Sequence, residues 1–158
     1  MASSPVYLFT TTFYVLSTTC GLSLATTIPF KDCGTQNGKV LKVDITPCAS
    51  DPCEFSEGQN VTAEIDFMIT EQQVSQATLA ASATIFGRKI RLPVPQPDVC
   101  LISGVICPLK SGVIYKMVDE IDVPRGIPSL RAKIPLEVTL TGFDEQFFLC
   151  GTIDVIVG

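Results

Sequence analysis

Hydrophobic and polar residues alternate with a period of two along most of this chain. Such alternation is typical of β-strands that have one buried and one solvent-facing side. No stretch of ordinary helix length carries an apolar stripe. The pattern therefore predicts an all-β protein of about seven strands. The seven runs span Leu41–Ile45, Val61–Ile69, Leu79–Ile85, Ile90–Val94, Val113–Val123, Leu130–Leu140 and Phe147–Val157.

Turn-forming residues separate the runs at short intervals. Glycine tolerates positive φ, and Asn and Ser side chains hydrogen-bond their own backbone, so both favour tight turns. Seven short strands with this punctuation favour an immunoglobulin-like β-sandwich with no second domain. The predicted turns are Asn37-Gly38, Glu57-Gly58, Gly87, Ser111-Gly112 and Thr141-Gly142.

A proline-rich segment follows the fourth run, with Pro93, Pro95 and Pro97 at every second position. Because proline lacks an amide donor, such a segment fits only at a sheet edge, and the residue before each proline is extended. Two interpretations stay open. The segment is either a stiff edge ribbon with Leu92 and Val94 on one side, or a rigid linker to the next cysteine.

The chain begins with an apolar stretch that carries no charge. Ser23 and Ala25 supply the small residues at −3 and −1 that a signal peptidase prefers. A membrane anchor is the competing interpretation, but Thr and Ser residues interrupt the stretch, and a spanning helix needs about 20 mainly apolar residues. We therefore expect a signal peptide at residues 1–25 and a mature domain at 26–158.

Six cysteines remain after the leader, and an even set in an exported chain predicts disulfides. Short spacing favours two local bridges, although six cysteines permit 15 pairings and spacing alone leaves these open. There is no C-x-x-C motif and no histidine, so we expect no metal site. The six are Cys33, Cys48, Cys53, Cys100, Cys107 and Cys150.

The absence of histidine from all 158 residues argues against an enzyme. No Ser-His or Cys-His pair can form, and histidine is the usual general base near neutral pH. Asp119, Glu120 and Asp122, or Asp144 and Glu145, are the carboxylates that glycoside chemistry would need, but clustered acids at strand ends are usually solvated turn residues. We therefore predict that the chain is not an enzyme and that it binds no cofactor.

The net charge and one modification motif bear on the partners of the chain and on its location. The net charge of −5 offers no basic face for nucleic acid. Asn60-Val61-Thr62 is a glycosylation sequon, which in an exported chain predicts that Asn60 lies at the surface and is glycosylated.

Several motifs together resemble those of the Niemann-Pick type C2 proteins, which belong to the ML (myeloid-differentiation-related lipid-recognition) domain family with the mite group 2 allergens. The resemblance covers about Ile28 to Val157. The motifs are specific because they occur together, in the order and approximate spacing of the family. The motifs are Phe30-Lys31-Asp32-Cys33-Gly34, Pro47-Cys48 through Pro52-Cys53, Pro93-x-Pro95-x-Pro97-Asp98-x-Cys100, Cys107-Pro108-Leu109 and the last cysteine, Cys150.

The resemblance implies a sandwich whose sheets part to hold a sterol or another small apolar lipid. It implies the bridges Cys33–Cys150, Cys48–Cys53 and Cys100–Cys107. It places the pocket mouth at Leu92, Val123 and Ile127, which makes the mouth aliphatic where the sterol carriers have aromatic residues. Further lining residues that we predict are Ile45, Phe55, Ile90, Val94, Leu136, Ile153 and Val155.

Four alanines at positions expected to face the interior fill little volume and so favour a cleft: Ala63, Ala81, Ala83 and Ala132. The competing interpretation is an ordinary filled core.

The function implied is a secreted or endolysosomal sterol carrier. Its partners would be acidic membrane surfaces and a membrane sterol transporter of the Niemann-Pick type C1 kind. Arg88, Lys89 and Arg91 lie beside the predicted mouth and would dock it on membranes, although charges on an edge strand also simply prevent sheet pairing. The alternatives are an extracellular carrier of fatty acids or semiochemicals and a microbial-lipid recognition protein in immunity.

Overall fold

The computed structural model describes residues 25–70, 73–126, 131–142 and 147–158. Residues 1–24 of the predicted signal peptide and Ile127 of the predicted mouth lie outside the described residues. Within the described part of the chain, no helix is long and apolar enough to cross a membrane.

The described residues form ten β-strands and one 3₁₀ turn at Val99–Leu101. Each of the seven predicted runs overlaps one strand, which confirms the all-β prediction. The three additional strands are two or three residues long, too short for any periodicity. In chain order the strands are β1 Thr26–Thr27, β2 Lys31–Asp32, β3 Gly38–Thr46, β4 Cys53–Phe55, β5 Asn60–Ile69, β6 Ala77–Ile85, β7 Arg88–Leu92, β8 Ile114–Asp122, β9 Lys133–Gly142 and β10 Phe147–Val157.

Two sheets pack face to face, as the sandwich prediction requires. One sheet has four strands in the order β1-β3-β5-β8. The other has six, in the order β2-β10-β9-β6-β7, with β4 added in parallel to β10. Strands β7 and β8 are therefore edge strands of different sheets. The proline segment follows β7 at this edge, where the Leu79 N–H donates to the Pro97 carbonyl at 2.7 Å.

Strand register aligns the apolar residues of each sheet into rows that face inward. In the four-stranded sheet, Ile65 pairs with Val43 on one side and Met117 on the other. In the six-stranded sheet, Leu136 pairs with Ala83 and Ile153. Because side chains alternate between the faces of a strand, each row presents a continuous apolar strip to the opposite sheet.

Three disulfides brace the sandwich, in the pairing that the resemblance implies. Cys33–Cys150 ties the segment after β2 to β10, Cys48–Cys53 closes the loop before β4, and Cys100–Cys107 closes the loop that contains the 3₁₀ turn.

The first disulfide is reinforced by hydrogen bonds. The Cys33 N–H donates to the Cys150 carbonyl at 3.1 Å, and the Cys150 N–H donates to Thr35 Oγ1 at 3.0 Å. Asp32 Oδ1 accepts from the N–H groups of Gly34 and Thr35, and its contacts with Thr35 and Gly34 lower the pKa of this carboxyl. The segment from Asp32 to Thr35 is thus fixed against the last strand.

Candidate functional site

A cavity of about 180 Å³ lies between the two sheets, counted as the space open to the centre of a water-sized sphere. A single water needs only about 10–15 Å³ on the same measure. The gap is therefore more than ten times the size of a one-water packing defect. The interpretation that these residues fill an ordinary core does not hold in this part of the sandwich.

The cavity wall is apolar over nearly its whole extent. Strands β3, β5 and β8 of one sheet and β6, β9 and β10 of the other contribute inward-facing side chains. Among the described lining residues, only Asp119 and Asp122 carry a charge. Such a wall offers dispersion contacts and water exclusion to an apolar ligand, and it provides no hydrogen bonds along most of its length.

Eight of the ten predicted lining residues border the cavity in the structure. Ile90 does not: it is 47% exposed and lies outside the lining, because β7 is an edge strand paired only with β6. Ile127 lies outside the described residues. The eight are Ile45, Phe55, Leu92, Val94, Val123, Leu136, Ile153 and Val155.

Small side chains in the middle of the six-stranded sheet create the space. Ala81, Val138 and Gly151 form one inward-facing row across β6, β9 and β10. A Cβ atom added at Gly151 would meet no atom within 4 Å, so this glycine opens directly into the cavity. Periodicity did not single out Gly151, although a glycine inside a strand is a signal of missing volume.

The alanine prediction is correct for three of its four residues. Ala63, Ala81 and Ala83 line the cavity. The prediction for Ala132 is wrong, since this residue is exposed and precedes β9.

One end of the cavity is closed by a packed cluster. The rings of Phe67 and Tyr115 stack with centroids 5.7 Å apart. Met117, Leu140 and Leu149 belong to this cluster, are at most 3% exposed, and also border the cavity. They form a firm floor, because well-packed apolar residues resist displacement.

The other end opens between the edge strands of the two sheets. The exposed lining residues Pro93, Pro95 and Asp122 lie here, beside Leu92 and Val123. Val123 is positioned by its backbone: its N–H donates to the Gln59 carbonyl at 2.9 Å, and its carbonyl accepts from Gly58 at 2.8 Å. Two residues of the predicted mouth, Leu92 and Val123, therefore lie at this end of the cavity.

Asp119 is an exception in the apolar wall. It lies two residues beyond Met117 on β8 and pairs with Ala63, so its side chain belongs to the inward face. Its Oδ2 atom is buried and has no hydrogen-bond partner among the described residues. Burial raises the pKa of the Asp119 carboxyl.

The predicted acidic cluster of β8 is therefore divided between different surfaces. Glu120 is exposed on the outer face, and Asp122 lies at the rim, where its Oδ1 accepts from Asn60 Nδ2 at 3.1 Å. The expectation of solvated turn acids is wrong for Asp119. Asn60 itself is exposed, as a glycosylation site requires.

The three predicted basic residues differ in their surroundings. Lys89 and Arg91 pair with Thr84 and Ser82, which alternate with the cavity-lining alanines, so both face outward. Lys89 Nζ forms a salt bridge with Glu137 at 2.5 Å. Arg88 is exposed at the turn that also carries Phe86, whose side chain is 77% exposed.

A possible metal cluster among the described residues has no free thiolate. Cys33, Cys150 and Glu137 place one ligand atom each within 4.8 Å of one another. Both sulfurs are consumed by the disulfide, and thiols bind zinc as thiolates.

A family model, related sequences and a solved structure all indicate the same protein family. Residues 27–157 match a family model described as the ML domain. The chain is 30% identical to bovine (Bos taurus) NPC intracellular cholesterol transporter 2, covering 94% of this chain and 97% of that protein. It is 30% identical to the mite group 2 allergen Lep d 2 of Lepidoglyphus destructor, covering 89% and 94%. The crystal structure of a Niemann-Pick type C2 protein from the Japanese carpenter ant superposes with a TM-score of 0.73 at 21% identity, over 82% of this chain and 99% of that one.

Proposed function

This chain belongs to the ML domain family, and from that premise we propose that it carries a sterol-like lipid non-covalently between its sheets. The observation that carries the proposal is the apolar cavity. It is closed at one end by Met117 and open at the other end beside Val123. The names of relatives support it, since the bovine protein is called a cholesterol transporter. The family consists of lipid-binding carriers rather than enzymes, so the chain makes and breaks no bond in its cargo.

The expected affinity follows from the size of the cargo. A sterol has about 28 heavy atoms, and drug-sized ligands gain roughly 0.3 kcal/mol per atom. The product is about −8 kcal/mol, which corresponds to a micromolar dissociation constant. Binding on this scale is reversible, as carriage between membranes requires.

A carrier of fatty acids or semiochemicals is the second candidate. The observation in its favour is the aliphatic rim at Leu92 and Val123, which suits a thinner ligand than a flat sterol ring system. Recognition of microbial lipids would use the same cavity. The three candidates differ in the head group of the lipid and share the apolar wall.

We also propose that residues 26–158 are the mature domain of an exported protein, secreted or endolysosomal. Three disulfides support export, because such bridges persist in oxidising compartments. Exposure of Asn60 is compatible with glycosylation there. A membrane sterol transporter of the Niemann-Pick type C1 kind is the partner that would receive a sterol cargo.

Val123→Phe should weaken sterol binding while leaving thermal stability close to that of the wild type. Val123 is 9% exposed at the mouth, and the larger ring would extend into the opening that a ligand must pass. Overfilling a close-fitting apolar site costs roughly 1–3 kcal/mol, so affinity should fall about 5- to 150-fold. Titration with a fluorescent sterol and a thermal melt measure the two quantities.

Val113→Phe is the matched control, because Val113 is 42% exposed and outside the cavity wall. It should bind sterol as the wild type does. Wild-type affinity in a folded Val123→Phe protein would place the entrance elsewhere.

If basic residues dock the mouth on membranes, lipid transfer should accelerate with anionic vesicles and slow with added salt. Exposed charges are screened over about 10 Å at 0.1 M salt. Replacing Arg88, Lys89 and Arg91 with Gln should remove this dependence without changing equilibrium affinity. Because Lys89 is already paired with Glu137, the two arginines should account for most of the effect.

Replacement of the exposed Lys39 and Lys110 with Gln is the control for net charge. Lys39 is the second residue of β3, and Lys110 lies beside Tyr115, so both are at the closed end of the sandwich. This variant should keep its response to anionic lipid. Transfer rates that are indifferent to vesicle charge and vesicle concentration in the wild type would contradict docking and favour diffusion of the loaded carrier through water.

A further inference from the structure

The sequon at Asn60 lies beside the open end of the cavity, where an attached glycan has a consequence for lipid transfer. Resting on the proposed carrier function and on export, we infer that Asn60 is a modification site that controls the rate of transfer. An N-linked glycan there holds membranes away from the mouth and slows transfer by collision, while the equilibrium affinity of the cavity stays the same.

Strand pairing places Asn60 next to the mouth. Asn60 is the first residue of β5 and pairs with Asp122 of β8, which borders the cavity. The carbonyl of the preceding residue, Gln59, accepts a hydrogen bond from the Val123 N–H at 2.9 Å. Because paired strands lie about 5 Å apart, the attachment point is roughly one strand spacing from the rim.

A hydrogen bond directs the Asn60 side chain toward the rim. Nδ2 donates to Asp122 Oδ1 at 3.1 Å, and a carboxylate accepts hydrogen bonds only, so the nitrogen that would carry the sugar faces the edge strand. Asn60 is exposed and is not among the described lining residues. A glycan on Nδ2 therefore projects into solvent beside the mouth and leaves the lipid-binding wall unchanged.

The hydroxyl of the sequon is on the same face of β5. Asn60 and Thr62 are two residues apart in one strand, so both side chains belong to the outer face, opposite to the buried Val61. Glycosylation joins Nδ2 to C1 of the first sugar while the bond from C1 to the diphosphate of a lipid-linked oligosaccharide breaks and the lipid diphosphate leaves. Nδ2 releases one proton to water and keeps the other, which is enough to maintain the hydrogen bond to Asp122.

The two sides of the mouth differ in what they offer to a membrane. One side is formed by β7 and the proline segment, where Arg88, Pro93 and Pro95 are exposed. The other side carries Asn60-Val61-Thr62, the one sequon of the sequence. A flat bilayer must meet both sides at once before lipid can enter the cavity without crossing water. A bulky, hydrated glycan on one side obstructs that contact.

The effect is specific to one part of the transfer rate. Release of lipid into water does not depend on acceptor vesicles, whereas transfer by collision increases with their concentration. A plot of rate against vesicle concentration therefore has an intercept for release and a slope for collision. Association rates at one interface vary over roughly one to three decades among variants, so loss of the glycan should raise the slope about tenfold. The intercept should not change.

Thr62→Val and Thr62→Ser are the matched variants that test the inference, after secretion from eukaryotic cells. Valine has the shape of threonine but removes the sequon hydroxyl, while Asn60 keeps its hydrogen bond to Asp122. Serine preserves the sequon. Mass spectrometry of peptides reports the glycan at Asn60, and transfer of a fluorescent sterol between vesicles reports slope and intercept. An endoglycosidase that leaves one sugar on the folded wild type gives the same comparison without a substitution.

A glycan at the closed end controls for size and solubility. Gly112→Asn with Ile114→Thr, introduced into Thr62→Val, creates a sequon at the opposite end of β8 from Asp122. Gly112 has a positive φ that asparagine tolerates, and a Cβ there meets no atom within 4 Å. Ile114 is 63% exposed. This variant should transfer lipid as rapidly as Thr62→Val alone.

A steeper slope for Thr62→Val at unchanged sterol affinity, with Thr62→Ser equal to the wild type, supports the inference. It is overturned if the secreted wild type has no glycan at Asn60, or if removing the glycan leaves the slope unchanged or lowers it. A change confined to the intercept also overturns it, because the glycan would then act on passage of the lipid alone. In these cases a protein that binds sterol remains a carrier. If neither glycoform binds sterol, the proposed function fails, and the inference fails with it.

Discussion

Gly151→Ile should reduce sterol affinity on the order of 100-fold while keeping or raising thermal stability. The new side chain would enter the middle of the cavity, where an added Cβ meets no atom within 4 Å. A ligand would then have to overlap it, and overpacking of this kind costs up to about 3 kcal/mol. Gly151 lies within β10, and glycine in a strand costs roughly 0.5–1 kcal/mol, so the empty protein should gain stability.

The comparison with a second glycine shows why Gly151 is informative. A Cβ at Gly142 would lie in collision with the Phe148 ring, so that glycine is required by packing. Gly151 faces empty space instead. A rise in stability together with a loss of binding would separate the function of the cavity from the folding of the sandwich.

Thr152→Ile is the matched control for this variant. Thr152 is the next residue of β10, and because side chains alternate it belongs to the outer face. The new isoleucine lies on the outer face and does not enter the cavity. Sterol titration of this variant should therefore give the wild-type affinity. Undiminished binding by Gly151→Ile would mean that the ligand occupies another site.

Much of the fold follows from period-two alternation because every long strand has one face in the interior. The seven runs gave the strands that build both sheets, and the linked cysteine motifs gave the three bridges. Strands β1, β2 and β4 could not be predicted, because two or three residues have no measurable period. Their existence depends on pairing partners supplied by β3 and β10.

The cavity could not be predicted from the alternation of apolar and polar residues. Alternation identifies which side chains face inward, but it does not give the distance between the sheets, so alanines indicate either close packing or empty space. Ala83 is 2% exposed, whereas Ala63 and Ala81 are only partly buried although they lie in the middle of their sheets. Only the assembled structure shows that all three alanines border a gap.

Asp119 illustrates a conflict between residue type and position. Its chemistry predicts a solvated turn, whereas continuation of the alternation from Tyr115 and Met117 places it on the inward face. The register of β8 in the sheet places the Asp119 side chain on the inward face, although the side chain is polar. Such conflicts concentrate at functional sites, because a buried polar group without a partner persists when it serves a purpose other than stability.

Removing the Cys33–Cys150 bridge should lower the free energy of unfolding by about 5 kcal/mol, the largest effect expected of any disulfide in the chain. The bridged residues are 117 apart in sequence, and the entropy lost by the unfolded chain grows with the logarithm of the closed loop. Because β2 pairing and the hydrogen bonds between Thr35 and Cys150 remain, the folded structure should persist. Chemical denaturation of the Cys33→Ala, Cys150→Ala double variant measures the loss.

The Cys100→Ala, Cys107→Ala double variant is the matched comparison, since its residues are only 7 apart. The same chain-entropy relation gives it a loss of about 2.4 kcal/mol, so the two variants should differ by about 2.5 kcal/mol. Equal losses would show that the bridges act by holding native contacts rather than by restricting the unfolded chain. A larger loss for the short bridge would indicate that the loop it closes stabilises the floor of the cavity, because Val99 and Ile102 pack in the cluster with Met117 and Leu149.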